Sequence, residues 1–167
     1  MGESELTRLL SSEPELVDFA AESARRWHAA GVAPLLVALR GDLGAGKTTF
    51  ARAMLRGLGH RGRVPSPTFT LLEEYQVGRP VLHLDLYRLG SADELENLGV
   101  RDWLADPDAW MLVEWPERAP ALLERCDLLL TLDFHSATAR RLRAEAKSAN
   151  GRKALQEVAD LLPSKTL

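Results

Sequence analysis

The chain has 167 residues, 46% hydrophobic and 27% charged, and a formal net charge of −3. This is the balance of a globular protein with a sizeable core, so one domain spanning 1–167 is expected, and there is no overall electrostatic case for nucleic-acid binding. Cys126 is the only cysteine, which excludes an intrachain disulfide and suits a cytoplasmic protein; no stretch approaches membrane-spanning length, and Met1–Leu10, with Glu3 and Glu5, does not read as a secretory signal.

The first periodic segment is Glu13–Ala30, a helix whose apolar face is Leu16, Val17, Ala20, Ala21 and Ala24. Ser12 is placed to cap it, Pro14 sits in its first turn and Gly31 ends it. Pro34–Arg40 is an apolar run of strand length, as a parallel strand buried on both faces reads. Gly41-Asp42-Leu43-Gly44-Ala45-Gly46-Lys47-Thr48 follows and fills the phosphate-loop template G-x-x-x-x-G-K-[ST] without substitution. Lys47–Leu58 is then a helix, with Phe50, Met54, Leu55 and Leu58 at helical spacing and Gly59 as its stop.

Strand, glycine loop and helix is the order a phosphate loop needs. Only backbone N–H groups around a tight turn can wrap a phosphate chain, and Gly41, Gly44 and Gly46 suit that turn. Lys47 adds a point charge for the β- and γ-phosphates. The Thr48 hydroxyl is placed to ligate Mg²⁺, and the helix start offers free N–H groups to the anion.

After a loop at Gly59–Arg63 comes Ser66-Pro67-Thr68-Phe69-Thr70, which reads either as a switch segment sensing the γ-phosphate or as an X-Pro loop entering a strand. Thr68–Tyr75 and Val81–Tyr87 read as strands joined by a hairpin turn at 76–80. Ser91–Leu98 is a short helix with Gly99 behind it. Met111–Trp115 is a buried strand stopped by Pro116, and Asp127–Asp133 is another. Thr138–Ser148 has helix-favouring residues, yet Leu142, Ala144 and Ala146 alternate with charges, so we read it as an edge strand. Arg152–Leu162 is a terminal helix ended by Pro163. The order implies an α/β fold of the P-loop NTPase type: a mainly parallel central sheet with antiparallel members and flanking helices.

Two acids end apolar strands, Asp85 in His83-Leu84-Asp85-Leu86-Tyr87-Arg88 and Glu114 in Met111-Leu112-Val113-Glu114. Ligand crevices of open α/β sheets lie beyond the carboxyl ends of the strands, so either acid could face a metal; either could equally be a salt-bridge partner or helix cap. Trp115 beside Glu114 reads as a site aromatic or as core.

The phosphate loop with Thr49-Phe50, Ser66–Leu71, His83–Leu89, Glu94-Leu95-Glu96 with Gly99, and Val113-Glu114-Trp115-Pro116-Glu117 occur in this order. Together they resemble the TsaE family (formerly YjeE), over roughly residues 10–135. The resemblance implies a bacterial ATPase needed to make threonylcarbamoyladenosine next to the anticodon of tRNA. It would use ATP and Mg²⁺, hydrolyse ATP slowly alone, and act with TsaB and TsaD by resetting that pair between turnovers. Contact with tRNA would be indirect. The resemblance also implies a phosphate cradle of Gly44, Ala45, Gly46, Lys47, Thr48 and Thr49 and a Mg²⁺ shell of Thr48 with Glu114. Asp85 would position water, Thr68 would belong to the switch-like loop, Trp115 would lie near the nucleotide, and the base-side contact would come from Ser11–Leu16.

Three other readings compete. A small-molecule kinase would need an Arg-bearing lid, for which Arg61 and Arg63 are the candidates. A GTP switch would need an N-K-x-D loop, and the sequence has none. An RNA binder could use Arg140, Arg141, Arg143, Lys147, Arg152 and Lys153, which read more readily as a solvated strand and helix face.

Overall fold

The computed structural model describes residues 4–65, 67 and 70–162. A seven-stranded sheet runs through the molecule. Its strands are β1 (Glu5–Leu10), β2 (Leu35–Arg40), β3 (Leu72–Gln76), β4 (Pro80–Asp85), β5 (Trp110–Glu114), β6 (Leu128–Phe134) and β7 (Arg140–Ala146). Their spatial order is β1-β7-β6-β2-β5-β4-β3. The inner four, β6, β2, β5 and β4, are mutually parallel. Antiparallel pairings add β7 and then β1 at one margin and β3 at the other. The helices are α1 (Glu13–Ala29), α2 (Lys47–Gly57), α3 (Ala92–Asn97), α4 (Val100–Ala105), α5 (Pro120–Glu124) and α6 (Ala149–Val158). None of them is long and apolar enough to cross a membrane.

Strand β2 shows why the chain stacks into three layers. Its residues alternate in direction, so Leu35, Val37 and Leu39 join the core beneath α1, α2 and α6. Leu36 and Ala38 join the second core, beneath the α3–α5 side. Both faces are covered, which is why the run lacks polar interruption. Trp27 and Trp110 meet edge-on in the first core, and their indole N–H groups donate to the carbonyls of Ala154 and Val32, each at 2.8 Å. Asp127 pins the start of β2: its Oδ2 accepts from Leu36 N at 2.7 Å, while its Oδ1 accepts from the Ser148 hydroxyl at 2.6 Å. Gly57 lets α2 lie directly on the backbone of Ala21 in α1.

Several boundaries differ from expectation. The strand expected over Thr68–Tyr75 begins only at Leu72, because Leu71 takes a left-handed backbone (φ 68°) that no strand can contain. The one expected over Val81–Tyr87 stops at Asp85, whose carboxylate turns back to accept from Tyr87 N at 3.0 Å. The terminal helix starts earlier than Arg152, at Ala149, because the Ser148 hydroxyl accepts from Gly151 N at 3.0 Å and caps it there. Strand β1 and helices α4 and α5 have no counterpart among the expected elements. The segment read as strand over Thr138–Ser148 is β7.

Candidate functional site

Three neighbouring strands bring the chemistry together. Strand β2 leads into the phosphate loop, and β5 and β4 follow it across the sheet. In register, Leu39 lies beside Glu114 and Glu114 beside Asp85, so both acids sit at the carboxyl ends of parallel strands, next to the loop. The loop turns through left-handed glycines, Gly44 at φ 82° and Gly46 at φ 111°. Gly46 also caps α2 and offers no side chain to it, so the first-turn N–H groups of the helix are left to the loop's concave side. A Cβ on Gly46 would press on Leu16 of α1 at 3.2 Å.

Lys47 is buried, and its ammonium donates to the carbonyls of Gly41 and of Asp42, the latter at 3.0 Å. It lies 4.2 Å from the centroid of the Trp115 ring. Burial holds this ammonium below the ordinary lysine range, against the opposing pull of Glu114, Glu117, Asp85 and Asp42. Trp115 reaches that position through a left-handed backbone, φ 57°, which bends the chain sharply out of β5; its ring also packs 5.0 Å from that of Tyr87.

Glu114 is 2% exposed and uses both carboxylate oxygens. Oε1 accepts from the Thr48 hydroxyl at 2.6 Å, and Oε2 is 2.6 Å from His83 Nε2. Asp85 is buried at the adjoining strand end. Lys47, Thr48, Thr49, Asp85, Glu114 and Trp115 line one cleft of about 430 Å³. A second cleft of about 370 Å³ opens on the other side of the loop, and Gly44, Gly46 and Thr49 line both. Its far wall is Ser12, Glu13, Pro14 and Leu16, so the segment expected on the base side does border the loop. A somewhat larger groove between β3 and α4, lined by Glu74, Trp103 and Asp106, holds neither the glycine loop nor a buried acid. Chemistry, and not volume, locates the candidate site.

The donors are hard oxygens: a hydroxyl and two carboxylates. They suit Mg²⁺, which takes one or two carboxylates and completes its shell with waters and phosphates. Among the described residues no group of three or more His, Cys, Asp and Glu could hold a metal on its own, so a cation here would depend on what else is bound. Thr68 and Ser66 of the switch-like segment lie outside the described residues.

Sequence reasoning assigns no role to two residues of this neighbourhood. His83 stands two positions before Asp85, on the same face of β4, and a histidine inside an apolar strand is the available signal. Arg140 reaches from β7 to the loop, donating to Ala45 O at 3.1 Å and Gly44 O at 3.4 Å, with its guanidinium 4.3 Å from the Phe134 ring centroid. Of the other basic residues of that region, Arg143 and Lys147 flank Glu145 at 3.7 and 3.6 Å, while Arg141, Arg152 and Lys153 are exposed.

Comparison with known proteins agrees with this geometry. Residues 10–143 match the family model "Threonylcarbamoyl adenosine biosynthesis protein TsaE". A "tRNA threonylcarbamoyladenosine biosynthesis protein TsaE" from Haemophilus influenzae is 48% identical over 102 residues, covering 60% of this chain and 64% of that protein. One from Synechocystis is 44% identical, covering 52% and 57%. In both cases the match spans less than two thirds of the relative's length. One from Aquifex aeolicus is 34% identical over 142 residues, covering 83% and 95%. The crystal structure of YdiB from Bacillus subtilis superimposes with a TM-score of 0.77 over 96% of this chain and 97% of that one, at 24% identity, and supports the P-loop NTPase-like fold.

Proposed function

The chain belongs to the TsaE family, and on that premise we propose that it is a Mg²⁺-dependent ATPase serving threonylcarbamoyladenosine formation in tRNA. The observation that carries this reading is the meeting of a complete phosphate loop with two buried strand-end acids, one of them hydrogen-bonded to the loop's Thr48 at 2.6 Å. Gly44, Ala45, Gly46, Lys47, Thr48 and Thr49 would wrap the phosphates with backbone N–H groups and the Lys47 charge. Thr48 and Glu114 would hold Mg²⁺, which when bound neutralises charge on the phosphate oxygens. Asp85 would orient the attacking water, and Thr68 would sense the terminal phosphate. The second cleft, walled by Ser12–Leu16, would take the base.

Family membership supports a role coupled to TsaB and TsaD, in which hydrolysis resets that pair between rounds of modification. The tRNA would then be met only within the complex. The chain's own contribution would be to bind and release a nucleotide, with the threonylcarbamoyl transfer taking place on its partners.

The test combines binding, hydrolysis and modification. ATP with Mg²⁺ should bind, GTP should bind less well, and inorganic phosphate should be the product. Lys47→Ala should weaken ATP binding at least tenfold and abolish turnover while the fold, followed by circular dichroism, stays intact. Multi-turnover modification of tRNA by purified TsaB and TsaD should stall without this chain. Unchanged hydrolysis in Lys47→Ala would overturn the phosphate-loop reading. Sustained modification without the chain would overturn the coupling. Transfer of the γ-phosphate to a small acceptor would favour a kinase instead.

A further inference from the structure

His83 is fully buried, 0% exposed, on the inner strand β4. Its ring has a single hydrogen-bonding use among the described residues. Nε2 lies 2.6 Å from Glu114 Oε2, and Nδ1 is buried with no partner. A carboxylate can only accept, so Nε2 carries the proton and donates it. A hydrogen on Nδ1 would be a buried, orphaned donor, which the bare nitrogen avoids. The ring therefore delivers one N–H to one oxygen of one acid.

That oxygen matters because Glu114 has only two. Oε1 takes the Thr48 hydroxyl at 2.6 Å, and Oε2 takes His83. With both ends held, the carboxylate plane cannot rotate, and Oε1 is the oxygen kept on the phosphate-loop side. Without the histidine bond, a buried carboxylate with one free oxygen could swing away from Thr48. Partners of this kind around a metal-binding group typically change metal affinity 10- to 100-fold when removed, on the order of magnitude seen at other metal sites.

We propose that His83 is a positioning residue for cation binding: it orients Glu114 so that Oε1 and the Thr48 hydroxyl together present a preset oxygen pair to a divalent cation. This rests on the reading of Thr48 and Glu114 as the Mg²⁺ shell. His83 itself would touch neither nucleotide nor cation.

The experiment is a calorimetric titration of ATP into the whole chain over a series of Mg²⁺ concentrations, with a chelator-treated sample as the metal-free limit. Three replacements separate donation from packing. His83→Gln places an amide N–H near the Nε2 position, His83→Asn places one nearer Nδ1 and short of Glu114, and His83→Leu has none. His83→Asn and His83→Leu should raise the Mg²⁺ concentration for half-maximal ATP affinity about tenfold, with metal-free ATP affinity unchanged. His83→Gln should stay within about threefold of wild type. Adding His83→Leu to Glu114→Gln should do little more than Glu114→Gln alone, because residues acting through one group are not additive.

Wild-type Mg²⁺ dependence in folded His83→Leu and His83→Asn would overturn the proposal while leaving the nucleotide reading intact. Additive effects in the double variant, or a tenfold loss in His83→Gln, would also overturn it. Wild-type protein that binds ATP equally well with and without Mg²⁺, or not at all, would overturn both readings. Should the Leu and Asn variants fail to fold, nitrogen NMR of the wild type decides. The His83 Nε2 resonance should move when Mg²⁺ is added to the ATP-bound chain and hold still when ATP is added with chelator; no Mg²⁺-dependent shift overturns the proposal.

Discussion

Lys47 sits at a point of competing demands. Its ammonium is buried, donates to two carbonyls of its own loop and lies against the Trp115 ring. Burial lowers its pKa from the usual 10.5 despite four nearby acids. The sign of the pH effect follows. Between the folded and the unfolded pKa the unfolded chain holds the extra proton, so this residue makes stability rise with pH across that window. Affinity for a phosphate anion does the reverse, since it needs the charged form. ATP affinity should therefore fall as pH rises through the lowered Lys47 pKa, before an ordinary lysine would titrate. Dissociation constants measured from pH 7 to about 10 would show it, and Lys47→Arg, which stays charged, should flatten the profile. Asp85 gives a second expectation at this scale. In the proposed role of orienting water it should matter more to turnover than to binding, so Asp85→Ala should cut the hydrolysis rate about tenfold or more with little change in ATP affinity, measured on the same preparation.

Among the elements, the contact of α1 with α2 leaves no room for a side chain at Gly57. A Cβ on Gly57 would meet the backbone of Ala21, its Cα at 2.8 Å, and backbone cannot step aside as a side chain can. Gly57→Ala should destabilise the fold by about 1–3 kcal/mol, read from denaturant midpoints, and should loosen the helix that carries Lys47 and Thr48. What the sequence disclosed at this scale was whatever is local. The glycine template, the unbroken apolar run of β2 and the alternation of Leu142 with Ala144 are each visible in a short window. Strand β1 is not: only Leu10 of its six residues is buried, and its extended form comes from pairing with β7 near the other end of the chain. The left-handed turn at Leu71 was equally hidden, because Thr70-Leu71-Leu72 has the composition of a strand and no glycine to announce a turn. The same holds in the site. Lys47, Thr48 and Glu114 stand in motifs, whereas the tie between His83 and Glu114 exists only because β4 and β5 lie side by side.

At the scale of the whole molecule, the proposed nucleotide site, framed by β2, β4, β5, α1 and β7, would link binding to global stability. ATP with Mg²⁺ should stabilise the chain by about 2.7 kcal/mol at a hundredfold excess over Kd. Scanning calorimetry should show this as a rise in Tm that Lys47→Ala abolishes. The strand order also has a consequence in time. Strand β2 lies in the middle of the sheet, yet its neighbours β5 and β6 are made much later, and β1, the earliest strand among the described residues, finds its sheet partner in β7. A ribosome therefore releases the Leu35–Arg40 segment, with α1 and α2 on one face, long before its strand neighbours can pair with it. Nascent chains ending ahead of Leu128 should stay open to protease and prone to capture by chaperones, because non-local pairing is slow and leaves apolar strands exposed. Protection should arrive in one late step as Arg140–Ala146 clears the exit tunnel.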